Sequence, residues 1–368
     1  MNLSQITPLR ALSGPILITG HTGFKGTWLT ILLEKLGIES IGYSLSPESD
    51  SLYQRLNLIN RIPEFFGDIR DQRSLSKFIS MHKPSAVIHL AAQPLVLNSY
   101  KEPLETFDVN VLGTAKVLEE SFRSASINAI VVVTTDKVYE NLNLGRRFIE
   151  SDSLHGKDPY SASKVGTESV VAAWQQIQKT SGGPAICSVR AGNVIGGGDF
   201  AENRLFPDII RAQMRQHKVV IRNSSSTRPW QHVLDPLMGY LMVLSKIKTS
   251  GIQESFNFGP SEASLSVGEA IALASSNWPS EIMFTTSDQQ EKNMEPNQQE
   301  KNMESKFLDL SSKKALQNLG WSPTWSQSQS IAKTMKWWER VILLDQDSNF
   351  ATEQDINEFL ALLRPESP

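Results

Sequence analysis

Residues 15–29 read PILITGHTGFKGTWL: an apolar strand, a turn with glycines at Gly20, Gly23 and Gly26, and the start of an amphipathic helix. Glycine is required where a backbone turns tightly and approaches a pyrophosphate, whose charge the following helix N-terminus stabilises. A glycine triplet also suits a plain structural turn, but a strand before it and a helix after it favour a dinucleotide. Working outward, short apolar strands alternate with longer amphipathic stretches. ESIGYSL, AVIHLAA (86–92), AIVVVTT (129–135) and AICSVRAGNVIG read as strands, separated by helices near 71–82, 103–124 and 159–179. This succession predicts an α/β fold, a doubly wound parallel (Rossmann) sheet.

After Gly198 the rhythm changes. A helix at RLFPDIIRAQMRQ, a strand KVVIRN and a polar turn SSSTRPW predict a smaller C-terminal substrate-binding lobe. The expected division is a dinucleotide-binding domain over 1–190 with a returning segment near 230–260, a lobe over 191–345, and a tail over 346–368. Residues 289–295 and 298–304 both read QQEKNME, too short to be a structural repeat and expected as a solvated insertion.

The 368 residues, 40% hydrophobic and 20% charged, describe a soluble globular chain. A net charge of -3 argues against nucleic acid or an anionic membrane as the main partner. Cys187 is the single cysteine, which fits a reducing compartment, and its apolar setting in AICSVR suits a small buried hydrophobe better than a nucleophile. MNLSQITPLRALSG lacks the charged start and apolar core of a signal peptide, so a cytoplasmic location is expected.

The second strand ends in Gly42, Tyr43 and Ser44, without the acid that would hold an adenosine ribose. No adjacent arginine is available for a 2′-phosphate, which favours NAD, although Lys25 counts the other way. Asp68 and Ile69 in GDIRD follow the third strand, where an adenine would sit; Asp68 would equally serve as an ordinary helix cap.

DPYSASK is the sharper signal. Asp158 suits a helix cap with Pro159 at the first position, so Tyr160 and Lys164, four apart, share a face. A phenol ionises near pH 10 and needs a nearby cation to act as a base at neutral pH, which Lys164 would supply. Alone, such a pair is a surface contact; beside the glycine turn it points to redox chemistry. TTDKVYE (134–140) places Asp136 next to Lys137 at a strand end, either as a salt bridge or as an acid–base pair.

Together these residues resemble the extended short-chain dehydrogenase/reductase family over nearly the whole chain. GHTGFKGTWL, HLAAQPLV, TTDKVYEN, RAGNVIGGGD and RPWQHVLDPL are similar, in that order, to stretches of its CDP-glucose 4,6-dehydratase branch. The resemblance implies a lyase with tightly held NAD, a nucleotide-sugar substrate such as CDP-glucose, a homodimer built on helices including the YxxxK helix, and a place in deoxysugar supply for surface (lipopolysaccharide) polysaccharide. It implies Thr135 (or Thr134, if the strand register differs by one), Asp136, Lys137, Tyr160 and Lys164 as the catalytic set. Related dehydratases carry Glu where Lys137 stands and use it as the C5 base, so Lys137 is a departure. The cofactor would lie among Gly20, Thr22, Gly23, Phe24, Gly26, Tyr43, Ser44, Asp68, Ile69, Leu90, Ala91, Ala92, Asn110, Tyr160 and Lys164. A 4-epimerase or reductase on the same scaffold would need Tyr160 and Lys164 but not Asp136 and Lys137.

The later motifs fit a substrate site. Asn193 and the glycines 196–198 form a polar loop at the carboxyl edge of the sheet. Arg204, Arg222 and Arg228 carry forks that match a diphosphate, with Arg228 first choice and Trp230 and His232 beside it. Gln93 and Leu205 complete the expected substrate set. His89 reads as a packed strand-end residue, and no metal is assigned because no second ligand set accompanies it.

Overall fold

The computed structural model describes residues 1–143, 145–221, 223–286 and 307–364; the QQEKNME copies and Arg222 lie outside these residues. In chain order, the first half contains β1 (Ile16–Thr19), α1 (Phe24–Leu36), β2 (Ser40–Ser44), α2 (Leu52–Arg55), β3 (Glu64–Phe66), α3 (Gln72–His82) and β4 (Ala86–His89). It continues with α4 (Val96–Lys101), α5 (Pro103–Phe107), α6 (Thr114–Arg123), β5 (Ala129–Val133), α7 (Pro159–Ser181) and β6 (Ala185–Ala191). The lobe elements are β7 (Asn193–Ile195), α8 (Leu205–Arg215), β8 (Val219–Ile221), β9 (Thr227–Arg228) and β10 (Trp230–His232). Then follow α9 (Leu234–Ser250), β11 (Ser255–Phe258), β12 (Leu265–Ser266), α10 (Val267–Ser276) and β13 (Phe284–Thr286).

One seven-stranded sheet runs β11-β6-β5-β4-β1-β2-β3, every pairing parallel. The order reverses between β1 and β4, which is where a doubly wound sheet opens a crevice at its carboxyl edge. Its central strands read as continuous apolar runs because helices cover both faces. β11, from the ESFNFGP stretch, pairs with β6 through Phe256↔Val189 and Phe258↔Ala191. Three short pairings, β10–β7, β12–β9 and β13–β8, lie outside this sheet.

The stretch 103–124, read from sequence as one helix, is interrupted by a π-turn over Asp108–Gly113. The Asn110 carbonyl there accepts from the hydroxyls of Thr114 at 2.7 Å and of Thr167, on α7, at 2.8 Å. The extra residue in that turn is therefore spent on a contact between helices. At the C-terminal end, the helix Ser348–Leu362 buries Ala351, Ile356 and Phe359 in the same core as β1 and the helix Gln327–Ile342.

Asp235 opens α9 and is fully buried. Its Oδ1 accepts from the Thr324 N–H at 2.6 Å, Oδ2 has no partner, and burial pushes the carboxyl from 3.8 up to about 7. A carboxyl raised in the folded state binds its proton more tightly there than in the unfolded chain. Its contribution to stability is thus complete below pH 4 and is lost as pH rises through about 7. Asp235→Asn keeps the Oδ1 acceptor. Its melting temperature relative to the parent should climb between pH 4 and pH 7 and then level off, in thermal unfolding followed across that range.

Candidate active site

The turn after β1 is built as the glycine spacing requires. Gly20 has φ +76, and a Cβ there would lie 2.7 Å from the Ala91 nitrogen. A Cβ on Gly26 would lie 2.1 Å from the Gly20 carbonyl oxygen. Gly23 caps α1 with extended backbone, leaving the helix N-terminus open, and Phe24 begins the helix. Bare backbone over a helix N-terminus fits a dinucleotide pyrophosphate. Thr22 binds this turn to the end of β2, its hydroxyl 2.8 Å from Ser44 Oγ and 3.0 Å from the Leu45 carbonyl. Leu90, Ala91 and Ala92 follow β4 as half-buried neighbours of Gly20.

Tyr43 is placed differently from the expectation. Its ring is fully buried between Phe65 and Phe78, so only its backbone faces the turn, through the Gly20 N–H donated to the Tyr43 carbonyl. The Asp68 carboxylate is gripped by Arg70 at 2.6–3.0 Å, which holds it below its ordinary range, while Ile69 is buried against Gly113. Asn110 spends its amide on the Gln93 backbone, at 2.8 and 3.1 Å, and on Ser163 Oγ at 2.9 Å. The Gln93 side chain is likewise committed to Thr106 and to the Leu95 N–H, so it shapes its own loop rather than reaching a substrate.

The residues expected to be catalytic converge at the carboxyl end of β5. Asp158 caps α7 by accepting from the Ser161 N–H at 2.8 Å, with Pro159 in the first turn, which puts Tyr160 at the helix start and Lys164 one turn on. The Lys164 ammonium donates to the Val133 carbonyl at 3.3 Å; burial brings it down to about 8 while Glu168 holds it up. Burial pushes the Tyr160 phenol up to about 12. A hydrogen bond shared with Thr135 lowers it, and so does the Arg204 cation, whereas Asp136 raises it. The cation acting on the phenol thus comes at least in part from the lobe, beyond the lysine the motif suggests. Thr135 also donates to Asp136 Oδ1 at 3.1 Å. The Thr134 hydroxyl is turned away and bound to Glu168, so Thr135 is the threonine that faces the phenol.

Asp136 is 2% exposed, and among the described residues its Oδ2 has no hydrogen-bond partner. It lies beneath the β6–β7 junction, where a Cβ on Gly192 would sit 3.2 Å from Oδ2 and 2.4 Å from Pro229. Burial raises its carboxyl, and the charges of Lys137, Arg228 and Lys25 oppose that rise. Arg228, buried on β9, donates to the Thr227 carbonyl, and Arg204 pairs with Asp199 at 3.0 Å just before Leu205 opens α8. Asn193 begins β7, in register with Trp230.

Trp230 and His232 do not line a substrate site. Trp230 packs on Phe206 at 5.3 Å and is 3% exposed. His232 is fully buried between Trp28 and Trp325, and burial brings its imidazole down to about 3. Both pack into the large core that also holds Trp28 of α1 and the β1 strand. His89 is packed as expected, with Nδ1 hydrogen-bonded to Thr19 Oγ1 at 2.6 Å and Nε2 to Thr114 Oγ1 at 2.9 Å. Among the described residues no group of three or more His, Cys, Asp or Glu could hold a metal ion.

With this geometry in place, the profile of the GDP-mannose 4,6 dehydratase family matches residues 17–334. The chain belongs to that family. A CDP-glucose 4,6-dehydratase of Salmonella typhimurium is 36% identical over 94% of this chain and 96% of its own length. Among solved structures, a UDP-glucose 4-epimerase of Stenotrophomonas maltophila with bound NAD superposes with a TM-score of 0.77 at 20% identity, covering 90% of this chain and 99% of that one. A dTDP-glucose 4,6-dehydratase of Bacillus anthracis in complex with NAD gives 0.73 at 20% identity, covering 90% and 98%. At these identities the two structures speak for the fold alone.

Within this 4,6-dehydratase family framework, sequence reasoning misplaced Lys25 and missed His21. Lys25 sits at the catalytic end, not at an adenosine: its ammonium is 3.5 Å from Tyr240 Oη. Burial, with Arg204 and Lys164 close by, brings it down to about 7. His21 fills the space over Gly42, where a Cβ would meet its ring at 2.4 Å, and pairs with Glu64 at 2.8 Å. Neither direction is readable locally, because each depends on which distant element a side chain meets.

Proposed function

We propose that the protein is an NAD-dependent CDP-glucose 4,6-dehydratase, converting CDP-D-glucose to CDP-4-dehydro-6-deoxy-D-glucose and water. The reading of the nucleotide is supported by the 36% identity to the Salmonella typhimurium enzyme across 94% of the chain. The observation that carries the chemistry is Asp136: a buried carboxyl with one unpartnered oxygen, beside Lys137 and electrostatically coupled to Tyr160. An epimerase or reductase would have no use for such an acid.

NAD would be held by the turn at Gly20, Gly23 and Gly26, and would supply the acceptor for the C4 hydride, which is afterwards returned to C6 while C5 regains a proton, so that no net oxidant is consumed. Tyr160 takes the C4 hydroxyl proton, with Thr135 holding the C4 oxygen. The C4 ketone acidifies the C5 proton, which Lys137 accepts, and Asp136 protonates the departing C6 hydroxyl. Arg228 and Arg204 are the cations placed to hold the diphosphate.

Purified protein incubated with CDP-, UDP-, GDP- and dTDP-glucose, with the 4-keto product read by its absorbance in alkali, tests the proposal. CDP-glucose should be turned over fastest, with no added nicotinamide or with catalytic NAD. A strict need for stoichiometric NADPH would reject the dehydratase. Arg228→Lys should raise KM about tenfold or more, since a point charge cannot replace a bidentate fork and a charge-assisted contact contributes about 1.5–3 kcal/mol. An unchanged KM would move the diphosphate site to Arg204.

The finer partner reading is a homodimer through the helices beside α7, supported by the exposure of Leu104, Phe107 and Leu112 there. We place the enzyme in the cytoplasm; its single cysteine, buried Cys187, suits that setting. Among the described residues no helix is long and apolar enough to cross a membrane.

A further inference from the structure

Beneath the catalytic segment lies a buried ion pair that the mechanism does not use. Glu168, on α7, and Arg190, on β6, are 6% and 3% exposed. Glu168 Oε1 accepts from Thr134 Oγ at 2.5 Å and from Arg190 Nε at 2.8 Å. Its Oε2 accepts from Ser188 Oγ at 2.8 Å and Arg190 Nη2 at 2.9 Å. Arg190 Nη1 donates to Tyr139 Oη at 2.8 Å and to the Glu150 carbonyl at 3.1 Å. Tyr139 in turn donates to Asn257 Oδ1 at 2.7 Å and stacks on Phe148 at 4.9 Å.

A buried pair is a costly way to fill space, and well-packed apolar side chains often serve stability as well or better. This pair has a further geometric property. It reaches Thr134 through Glu168 and Tyr139 through Arg190, the two residues that bracket Thr135, Asp136 and Lys137. Glu168 has each oxygen doubly bonded, so the pair has one arrangement available to it. Tyr160 is fixed separately, by the Asp158 cap and by its own N–H donated to Ser99 Oγ at 3.1 Å. The phenol therefore has anchors of its own, beside the hydrogen bond with Thr135 that joins it to the segment.

We propose that Glu168 and Arg190 are positioning residues for the elimination step, clamping residues 134–139 at both ends so that Asp136 and Lys137 face the sugar that Tyr160 has oxidised. This rests on the dehydratase reading and deepens it. Loosening either end lets the acid and base drift while the phenol stays in place. A displacement of about 1 Å in a reacting group costs on the order of a hundredfold in rate.

Three variants of the full chain test it without breaking the ion pair. Thr134→Val removes one anchor and leaves Glu168 Oε1 its bond from Arg190. Tyr139→Phe removes the other and keeps the ring on Phe148. Thr134→Ser restores the lost hydroxyl. In the first two, kcat for the 4-keto sugar should fall at least about tenfold with KM within about twofold, because the loss is of alignment rather than of binding. Reduced nicotinamide should build up during turnover and exchange of the C5 hydrogen with deuterated solvent should slow, while Thr134→Ser behaves as the parent. Parental kcat in both variants overturns the clamp. So does a loss that appears in KM or melting temperature and that serine does not restore. A parent protein that makes no 4-keto sugar removes the dehydratase reading and the clamp with it; a parent that makes it, matched by both variants, removes the clamp alone.

Discussion

Tyr160→Phe should bring CDP-glucose turnover down by about 10²–10⁴-fold, the usual contribution of a positioned acid–base group, while NAD and nucleotide sugar still bind. The ring fills the same space, and Thr135 keeps its bond to Asp136 when the phenol oxygen is gone. No buried donor is then stranded, so the loss is chemical rather than structural. Stopped-flow absorbance of reduced nicotinamide should show no oxidation phase, with ligand affinities by calorimetry near those of the parent. The pH profile carries a second signature. Burial pushes the phenol up to about 12, and it acts only when deprotonated, so the parental rate should rise with pH across the neutral range. That rise should vanish from whatever rate Tyr160→Phe retains. An unchanged pH limb would put the base elsewhere, with Lys25, brought down to about 7, a candidate amine beside Lys164 and Asp136.

The parts of this site that were legible in the sequence are those fixed by local geometry. The turn at Gly20–Gly26 was readable because a Cβ at either end would strike backbone, whatever the rest of the chain does. The YxxxK face was readable because Asp158 and Pro159 set the start of α7, and helical spacing does the rest. The sheet was readable because strands covered on both faces need apolar residues at every position. What failed to read were side chains whose surroundings come from far along the chain. His232, beside Arg228, has the look of a ligand, yet its neighbours are Trp28, from α1, and Trp325, from far along the chain. Gln93 is polar and close to the site, but Thr106 and Leu95 use its amide. The π-turn at Asn110 interrupts a helix that local periodicity reads as continuous, because Thr167 on another helix takes up the freed carbonyl. Arg190 and Glu168 carried no motif signal at all; their meaning lies in bracketing a segment they do not belong to.

Asp136→Asn should separate the two halves of the reaction. The variant keeps the Oδ1 acceptor that Thr135 uses, so Thr135 and Tyr160 stay in place and C4 oxidation should proceed. Elimination should fall by about 10²–10⁴-fold, because an amide cannot protonate a departing hydroxyl. Reduced nicotinamide should accumulate with little 4-keto-6-deoxy product. The physical reason lies in where one proton sits. Asp136 protonated beside neutral Lys137 has the same net charge as the ion pair, and in water the ion pair wins. Here burial opposes the carboxylate, the Lys137, Arg228 and Lys25 charges favour it, and Oδ2 has no donor to stabilise its charge. Asp136 is therefore the acid, and Lys137 the base or the group that orients the acid. Since a raised carboxyl gives up its proton as pH rises, the parental elimination rate should decline on the alkaline side, and Asp136→Asn should lose that decline. Lys137→Ala should slow C5 hydrogen exchange with deuterated solvent while leaving oxidation intact. Full dehydratase activity in both variants would leave Asp136 and Lys137 without a part in the chemistry and return the lead to an epimerase or reductase, which needs only Tyr160 and Lys164.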